Sequence, residues 1–210
     1  EYPPFDKLTD ELYAPAFDRG MREQLAEVEV IATRADAPTF DNTLVALERS
    51  GQLLDRALTV FYALVAADTN PAREKLQAEY APKLSAHRDA INLDARLFAR
   101  ISALYEQRAA LGLDAEGLRL VEKYYTDFVR AGAKLGEADK TKLKALNAEL
   151  ASLGTKFSQN VLAEVNDSAV VVDSAAALAG LSEGQITAAA EAAKARKLEA
   201  ANLTAMINEL

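Results

Sequence analysis

Two long stretches of the chain place a hydrophobic residue at alternating steps of three and four positions, which is the spacing of an amphipathic helix. The first comprises Leu44, Leu47, Leu54, Leu58, Phe61 and Val65, with Gly51 filling the one place that lacks an apolar side chain. The second comprises Leu143, Leu146, Leu150, Leu153, Phe157 and Val161. Because such a stripe lies along one side of a helix, we expect each helix to bury that side.

Three shorter stripes predict further helices. Their members are Met21, Leu25, Val28 and Ile31, then Leu97, Ile101 and Leu104 widened by Phe98 and Tyr105, and then Leu118, Val121, Tyr125 and Phe128. The connecting segments are mostly short, so neighbouring helices are expected to pack antiparallel.

Residues that favour helix starts stand before several of these stripes. An Asn or Asp side chain at the N-cap accepts a backbone N–H of the first turn, and proline is tolerated at the first helical position. Ser with Gln three residues later forms a capping box. The predicted caps are Thr39, Asn70 followed by Pro71, Asp114, and Ser182 with Gln185 at the start of the alanine-rich segment 182–197.

The β-branched run at residues 169–173 departs from the helical pattern and predicts a short strand. A lone strand leaves its backbone groups unpaired, so this one needs a partner from an unseen segment or another chain, or else is simply extended. The fold class predicted is all-α, an antiparallel helical bundle or array with one short strand near 169–173. We expect a helical domain at 1–165, and at 166–210 the start of a region completed by sequence not present here.

Composition and charge narrow the function classes. The chain has 210 residues, 50% of them hydrophobic and 27% charged, which is typical of a globular protein. Its net charge of −8 argues against non-specific nucleic-acid binding and against adhesion to an anionic membrane. The absence of cysteine excludes disulfides and thiolate chemistry. No apolar run approaches the roughly 18 residues that a membrane-spanning helix requires.

His87 is the single histidine, and its surroundings match no metal motif. A zincin helix requires H-E-x-x-H, whereas Arg88 follows here, and the di-iron pattern fails because Leu84 stands three residues earlier. Ser85 and Asp89 are each two residues from His87, so on a helix they point to different sides and form no local triad. We therefore interpret His87 as a surface or half-buried helix residue, and predict no catalytic, cofactor-binding or metal-binding residue.

Two other clusters each admit two interpretations. The basic concentration is interrupted by Glu137 and Asp139, which favours a solvated face over a contact for an anionic ligand; its members are Arg130, Lys134, Lys140, Lys142 and Lys144. The aromatic cluster at residues 124–128 is interpreted as core, with a cofactor platform as the alternative; its members are Tyr124, Tyr125 and Phe128.

Five phrases of the sequence resemble the thimet-oligopeptidase-type zinc metallopeptidases, in particular the bacterial peptidyl-dipeptidase (dipeptidyl carboxypeptidase) branch. They are LYAPAFDRGM at 12–21, APTFDNTLVALERSG at 37–51, YYTDFVRAGA at 124–133, LNAEL at 146–150 and FSQNVL at 157–162. Their order and spacing are also those of the family, and the resemblance covers roughly residues 3–199.

The resemblance implies a neurolysin-like N-terminal helical region, one part of a longer enzyme whose helices wall a deep channel. In that family, zinc is bound downstream by H-E-x-x-H and a further glutamate, and the peptidyl-dipeptidase branch removes dipeptides from the free C-terminus of short peptides. This chain contains no counterpart of those zinc-binding residues. We therefore expect no cofactor in this chain, and zinc in the full-length members of the family. Short peptides are expected to bind through the missing catalytic half.

A second hypothesis is a non-catalytic helical module that derives from the peptidase and binds peptides or a partner.

Two features bear on the integrity of the chain. The family usually continues after residue 199 as an aliphatic strand, whereas 200–210 is helix-like. The sequence begins at Glu1 without methionine, which a cleaved signal peptide or an artificial start explains equally. We expect a cytoplasmic protein, or a periplasmic one if a signal peptide was removed, that self-associates through exposed apolar faces.

Overall fold

A computed structural model describes residues 3–168, 170–172 and 175–195, and within these residues the regular structure is entirely helical. The all-α prediction is therefore confirmed. A π-helical turn at Phe40–Val45 precedes the second helix, and 3-10 turns occur at Phe5–Lys7, Asp10–Leu12, Arg108–Ala110 and Ala175–Leu178. The α-helices are α1 (Tyr13–Ala32), α2 (Ala46–Glu48), α3 (Gln52–Ala67), α4 (Pro71–Asn92), α5 (Ala95–Glu106), α6 (Ala115–Arg130), α7 (Glu137–Asp167) and α8 (Glu183–Ala195).

The predicted caps occur where the sequence places them. The Thr39 hydroxyl accepts the N–H of Asn42 at 3.1 Å, and Asn42 Oδ1 accepts the N–H of Thr39 at 2.8 Å, so the two residues cap each other. The other three caps use the same chemistry: Asn70 Oδ1 accepts from Arg73 N, Asp114 Oδ1 from Gly117 N, and Ser182 and Gln185 form the reciprocal box.

The first long stripe does not form one continuous helix. Gly51 adopts a left-handed backbone with φ of 72° and separates α2 from α3. The prediction that Gly51 lies within one continuous helix is therefore wrong. Glycine adopts a left-handed backbone at little cost, and here it turns the chain between two helices. Its N–H donates to Glu27 Oε2 of α1 at 2.7 Å, which fixes the turn.

Two apolar clusters meet along α1. The C-terminal part of α1 packs with the π-turn, α2, α5 and α6; the fully or nearly fully buried members of this cluster include Val28, Leu44, Leu97, Ile101, Leu104 and Val121. The N-terminal part of α1 packs with α3 and α4 through Tyr13, Phe17, Leu54, Phe61, Tyr80 and Leu84. Helix α1 therefore connects both halves of the core, and its backbone lies close to that of α3 at Gly20.

The second long stripe forms a helix but does not bury its apolar side within the described part of the chain. Leu146, Leu150, Leu153 and Phe157 are exposed by 62%, 70%, 56% and 68%, and Val161 by 47%. The expected burial of this stripe is therefore wrong. The reason is that α7 contacts α4 through polar and small side chains, which lie on another side of the same helix.

Residues 170–172 form no strand, so the strand prediction is wrong for these three residues. A strand needs a paired neighbour, and none is present among the described residues. Residues 169 and 173 of the predicted strand, and the helix-like stretch 200–210, lie outside the described residues.

The chain divides into two compact units, Glu1–Gln159 and Asn160–Leu210. The domain boundary expected between residues 165 and 166 stays a prediction. In the described part of the chain, no helix combines the length and apolar character needed to cross a bilayer.

The crossing of α1 and α3 gives a stability prediction. A Cβ on Gly20 would lie 2.8 Å from the Leu54 Cα, a backbone atom that cannot move aside, so we expect Gly20→Ala to lower the free energy of unfolding by about 1–3 kcal/mol. Gly154→Ala is the matched control, because it is also helical, nothing lies within 4 Å of its Cβ position, and alanine is favoured by about 1 kcal/mol. Urea unfolding measures both. Equal stabilisation by the two variants would contradict the close crossing.

Candidate functional site

A groove of about 840 Å³ lies in the described part of the chain and is bordered by α3, α4 and α7. Its floor contains Leu54 and Leu84, and its rim carries polar and charged groups, including Asp55, Tyr62 and Arg88. Helix α7 contributes Leu150 together with small and hydroxyl side chains to the groove: Ala151, Gly154, Thr155 and Ser158. The groove is therefore apolar at its base and mixed in polarity at its edge.

His87 borders this groove from α4 and is buried, with 6% of its surface exposed. Its Nε2 lies 2.7 Å from Gln24 Oε1 of α1, which fits an Nε2–H that donates to the amide oxygen. Its Nδ1 is buried and has no hydrogen-bond partner among the described residues. The prediction of a surface or half-buried histidine underestimated this burial, because the contact with Gln24 spans 63 positions of sequence.

Burial lowers the pKa of His87 because the charged imidazolium loses hydration, and the nearby Arg88 guanidinium lowers the pKa further. The side chain is therefore a neutral imidazole at neutral pH. No nucleophile and no carboxylate is hydrogen-bonded to it in the described part of the chain, so it lacks the partners of a general base.

Ser85 and Asp89 are also buried, yet they do not join His87 in a triad. Asp89 accepts a hydrogen bond from Asn147 Nδ2 of α7 at 2.8 Å, whereas His87 contacts α1. Asp89 and His87 thus contact different helices.

Three side chains of α7 fasten this helix to α4. Lys140 Nζ donates to the Leu93 carbonyl at 3.1 Å, Asn147 Nδ2 donates to Asp89, and Gln159 Nε2 donates to the Glu74 carbonyl at 2.8 Å. Because the acceptor number falls as the donor number rises, α7 runs antiparallel to α4. This polar contact, which we call the α4–α7 seam, forms one wall of the groove.

The basic residues do not converge on one site in the described structure. Lys140 is buried at the α4–α7 seam, Lys142 pairs with Asp139 at 3.1 Å, and Lys134 Nζ donates to the Tyr125 hydroxyl at 2.8 Å. Their contacts are structural, and the interpretation as a solvated face misses the buried role of Lys140.

The aromatic cluster belongs to the core, as predicted. Phe128 is buried, and Tyr125 stacks on Tyr105 with ring centroids 3.8 Å apart. Tyr124 donates its hydroxyl hydrogen to Glu48 Oε1 at 2.6 Å. These rings are occupied by protein contacts and leave no open aromatic platform in the residues described.

The described residues do not fit a zinc site. Nowhere in 3–168, 170–172 and 175–195 do three His, Cys, Asp or Glu side chains come together in a way that could hold a metal ion. Zinc binding typically uses three or four such ligands around one point.

The described part of the chain is an all-α helical array, and α3, α4 and α7 of this array border an open groove. The comparisons then show which known proteins the sequence resembles. The chain is 44% identical over 206 residues to dipeptidyl carboxypeptidase of Escherichia coli strain K12, and the match covers 98% of this chain and 30% of the relative. It is 47% identical over 197 residues to dipeptidyl carboxypeptidase of Salmonella typhimurium, with 94% and 29% covered.

A more distant relative is oligopeptidase A of Escherichia coli strain K12, at 24% identity over 204 residues, 97% of this chain and 30% of the relative. No protein-family model matches the sequence. The chain spans about 30% of the length of the curated relatives it matches. These similarities confirm the resemblance: the sequence fits an N-terminal portion of a thimet-oligopeptidase-type peptidase.

The buried His87 predicts a pH dependence of stability. Its folded-state pKa is lowered, so below about pH 6.5, the ordinary pKa of histidine, the unfolded chain binds more protons than the folded chain. The stabilisation is complete above this pKa and is lost as the pH falls toward the folded-state pKa. We expect the free energy of unfolding to fall between about pH 7 and 5.5, and His87→Gln to flatten that slope.

Urea unfolding at a series of pH values measures this effect. Because His87 is the single histidine, no other side chain ordinarily titrates in this window. An unchanged slope in His87→Gln would show that the imidazole is not responsible.

Proposed function

We propose that this chain is the N-terminal helical, channel-wall part of a zinc peptidyl-dipeptidase that removes C-terminal dipeptides from short peptides. The observation that carries the proposal is the 44–47% identity to two dipeptidyl carboxypeptidases over nearly the whole of this chain. Under this proposal, the zinc ligands and the catalytic residues come from sequence outside this chain.

The described structure supports a positioning role for these residues. The helices present an open groove with an apolar base, and His87, which borders the groove, is held by a contact with Gln24. A rigid wall of this kind contributes to peptide hydrolysis by orienting the substrate and excluding bulky proteins, and an error of 1 Å in such positioning costs about a hundredfold in rate.

The proposal is tested by exchanging segments. In the Escherichia coli dipeptidyl carboxypeptidase, the matching 206 residues are replaced by this chain, and release of dipeptides from short peptides with free C-termini is measured. We expect the chimera to hydrolyse these peptides within about tenfold of the intact relative, because the wall is reproduced without gross misplacement. The relative lacking the segment is the control and is expected to be inactive, as is this chain alone.

Two outcomes would contradict the proposal. Stoichiometric zinc binding and dipeptide release by the isolated chain would show that it is catalytic by itself. A folded, zinc-containing chimera without activity, together with peptide binding by the isolated chain, would favour the non-catalytic binding module.

A further inference from the structure

One side of α7 exposes four large apolar side chains in a continuous row, Leu146, Leu150, Leu153 and Phe157, which we call the α7 stripe. Their exposed fractions lie between 56% and 70%. At 3.6 residues per turn, the stripe is about a third of a turn around the helix from the residues of the α4–α7 seam. The polar contacts with α4 therefore fix α7 in an orientation that leaves the stripe open.

The surroundings of the α7 stripe are nearly free of charge. Between residues 145 and 158, Glu149 and Lys156 are the charged side chains, and they have opposite sign. Exposed Val30 of α1 provides a contrast, because no other large apolar side chain lies within one turn of it on the same side of the helix. Depletion of charge around an apolar row is characteristic of the core of an interface.

The size of the α7 stripe argues for a covalently attached occupant. Its members extend over about 17 Å of helix at 1.5 Å per residue. With about 200 Å² for a large side chain, their exposed fractions give roughly 500 Å², below the approximately 800 Å² per partner of a standard interface. A second copy would have to offset the loss of translational and rotational freedom with this small area, whereas a segment of the same polypeptide would not.

We propose that the α7 stripe is an interior surface of the whole peptidase, covered by an apolar face of polypeptide that lies outside this chain. This inference rests on the proposed function. More than two thirds of the length of the dipeptidyl carboxypeptidases lies outside the match, so these relatives contain sequence of ample length to supply such a face.

Cysteine labelling tests the coverage directly, because this chain contains no cysteine. Leu146→Cys and Leu153→Cys are prepared separately, with Val30→Cys as the control matched in exposure and aliphatic character. Each is made in the isolated chain and in the full-length chimera. The rate of alkylation by a maleimide is measured by mass mapping of the peptide that contains the substituted position, which separates it from cysteines elsewhere in the chimera.

In the isolated chain, we expect all three positions to react at similar rates. In the chimera, we expect positions 146 and 153 to react at least about tenfold more slowly, because reaction then requires local opening, while position 30 is unchanged. Equal rates at 146 and 153 in both proteins would overturn the inference. So would protection in the isolated chain that rises with its concentration alongside a dimer in sedimentation, because a second copy would then be the occupant.

Activity and labelling report on separate proposals. An active chimera with unprotected positions 146 and 153 would sustain the peptidase proposal and overturn the covered stripe. A folded, zinc-containing but inactive chimera in which these positions are protected, together with peptide binding by the isolated chain, would sustain the covered stripe and count against the peptidase proposal.

Discussion

The polar contact between α7 and α4 fixes the orientation of α7, and that orientation determines which side chains of α7 border the groove and which are exposed. Lys140, Asn147 and Gln159 reach three separate points along α4, so α7 can neither rotate nor slide without losing hydrogen bonds. Lys140 and Asp89 are both buried, and leaving such groups without partners costs about 1–3 kcal/mol each or more. The same contact closes one side of the groove and turns the apolar stripe outward.

Local signals accounted for much of the fold. The caps at Thr39, Asn70 and Asp114 could be predicted because a cap depends on residues within one turn of each other. The buried stripes on α5 and α6 could be predicted for the same reason, since their periodicity and their burial coincide. Helix existence is thus readable from the sequence wherever a helix packs by its apolar side.

The failures have one physical origin, which is long-range contact. The stripe on α7 has the same periodicity as those that are buried, and only the polar partners on α4 decide that it faces outward. Likewise, the burial of His87 depends on Gln24, and the break at Gly51 depends on Glu27. Arg100 is a further case, because its guanidinium donates to the carbonyls of Arg34 and Asp36 and to Asn42 Oδ1. These partners are distant in sequence, so no local motif predicts the contacts.

The energetics of α7 explain why its two sides differ in character. Each hydrogen bond of the α4–α7 seam contributes a net stabilisation of only about 0.5–1.5 kcal/mol, because both partners also bond to water in the unfolded chain. Complete burial of an exposed Leu or Phe side chain is worth about 1.5–3 kcal/mol. Because the four side chains of the stripe are 56–70% exposed, covering them is worth about 4–8 kcal/mol, against about 1.5–4.5 kcal/mol for the three hydrogen bonds of the seam. The seam specifies the orientation of α7, whereas the larger part of the free energy available to this helix lies on the side that the described residues leave exposed. Under the proposal that polypeptide outside this chain covers the stripe, one neighbour sets the geometry of α7 and another completes its stability.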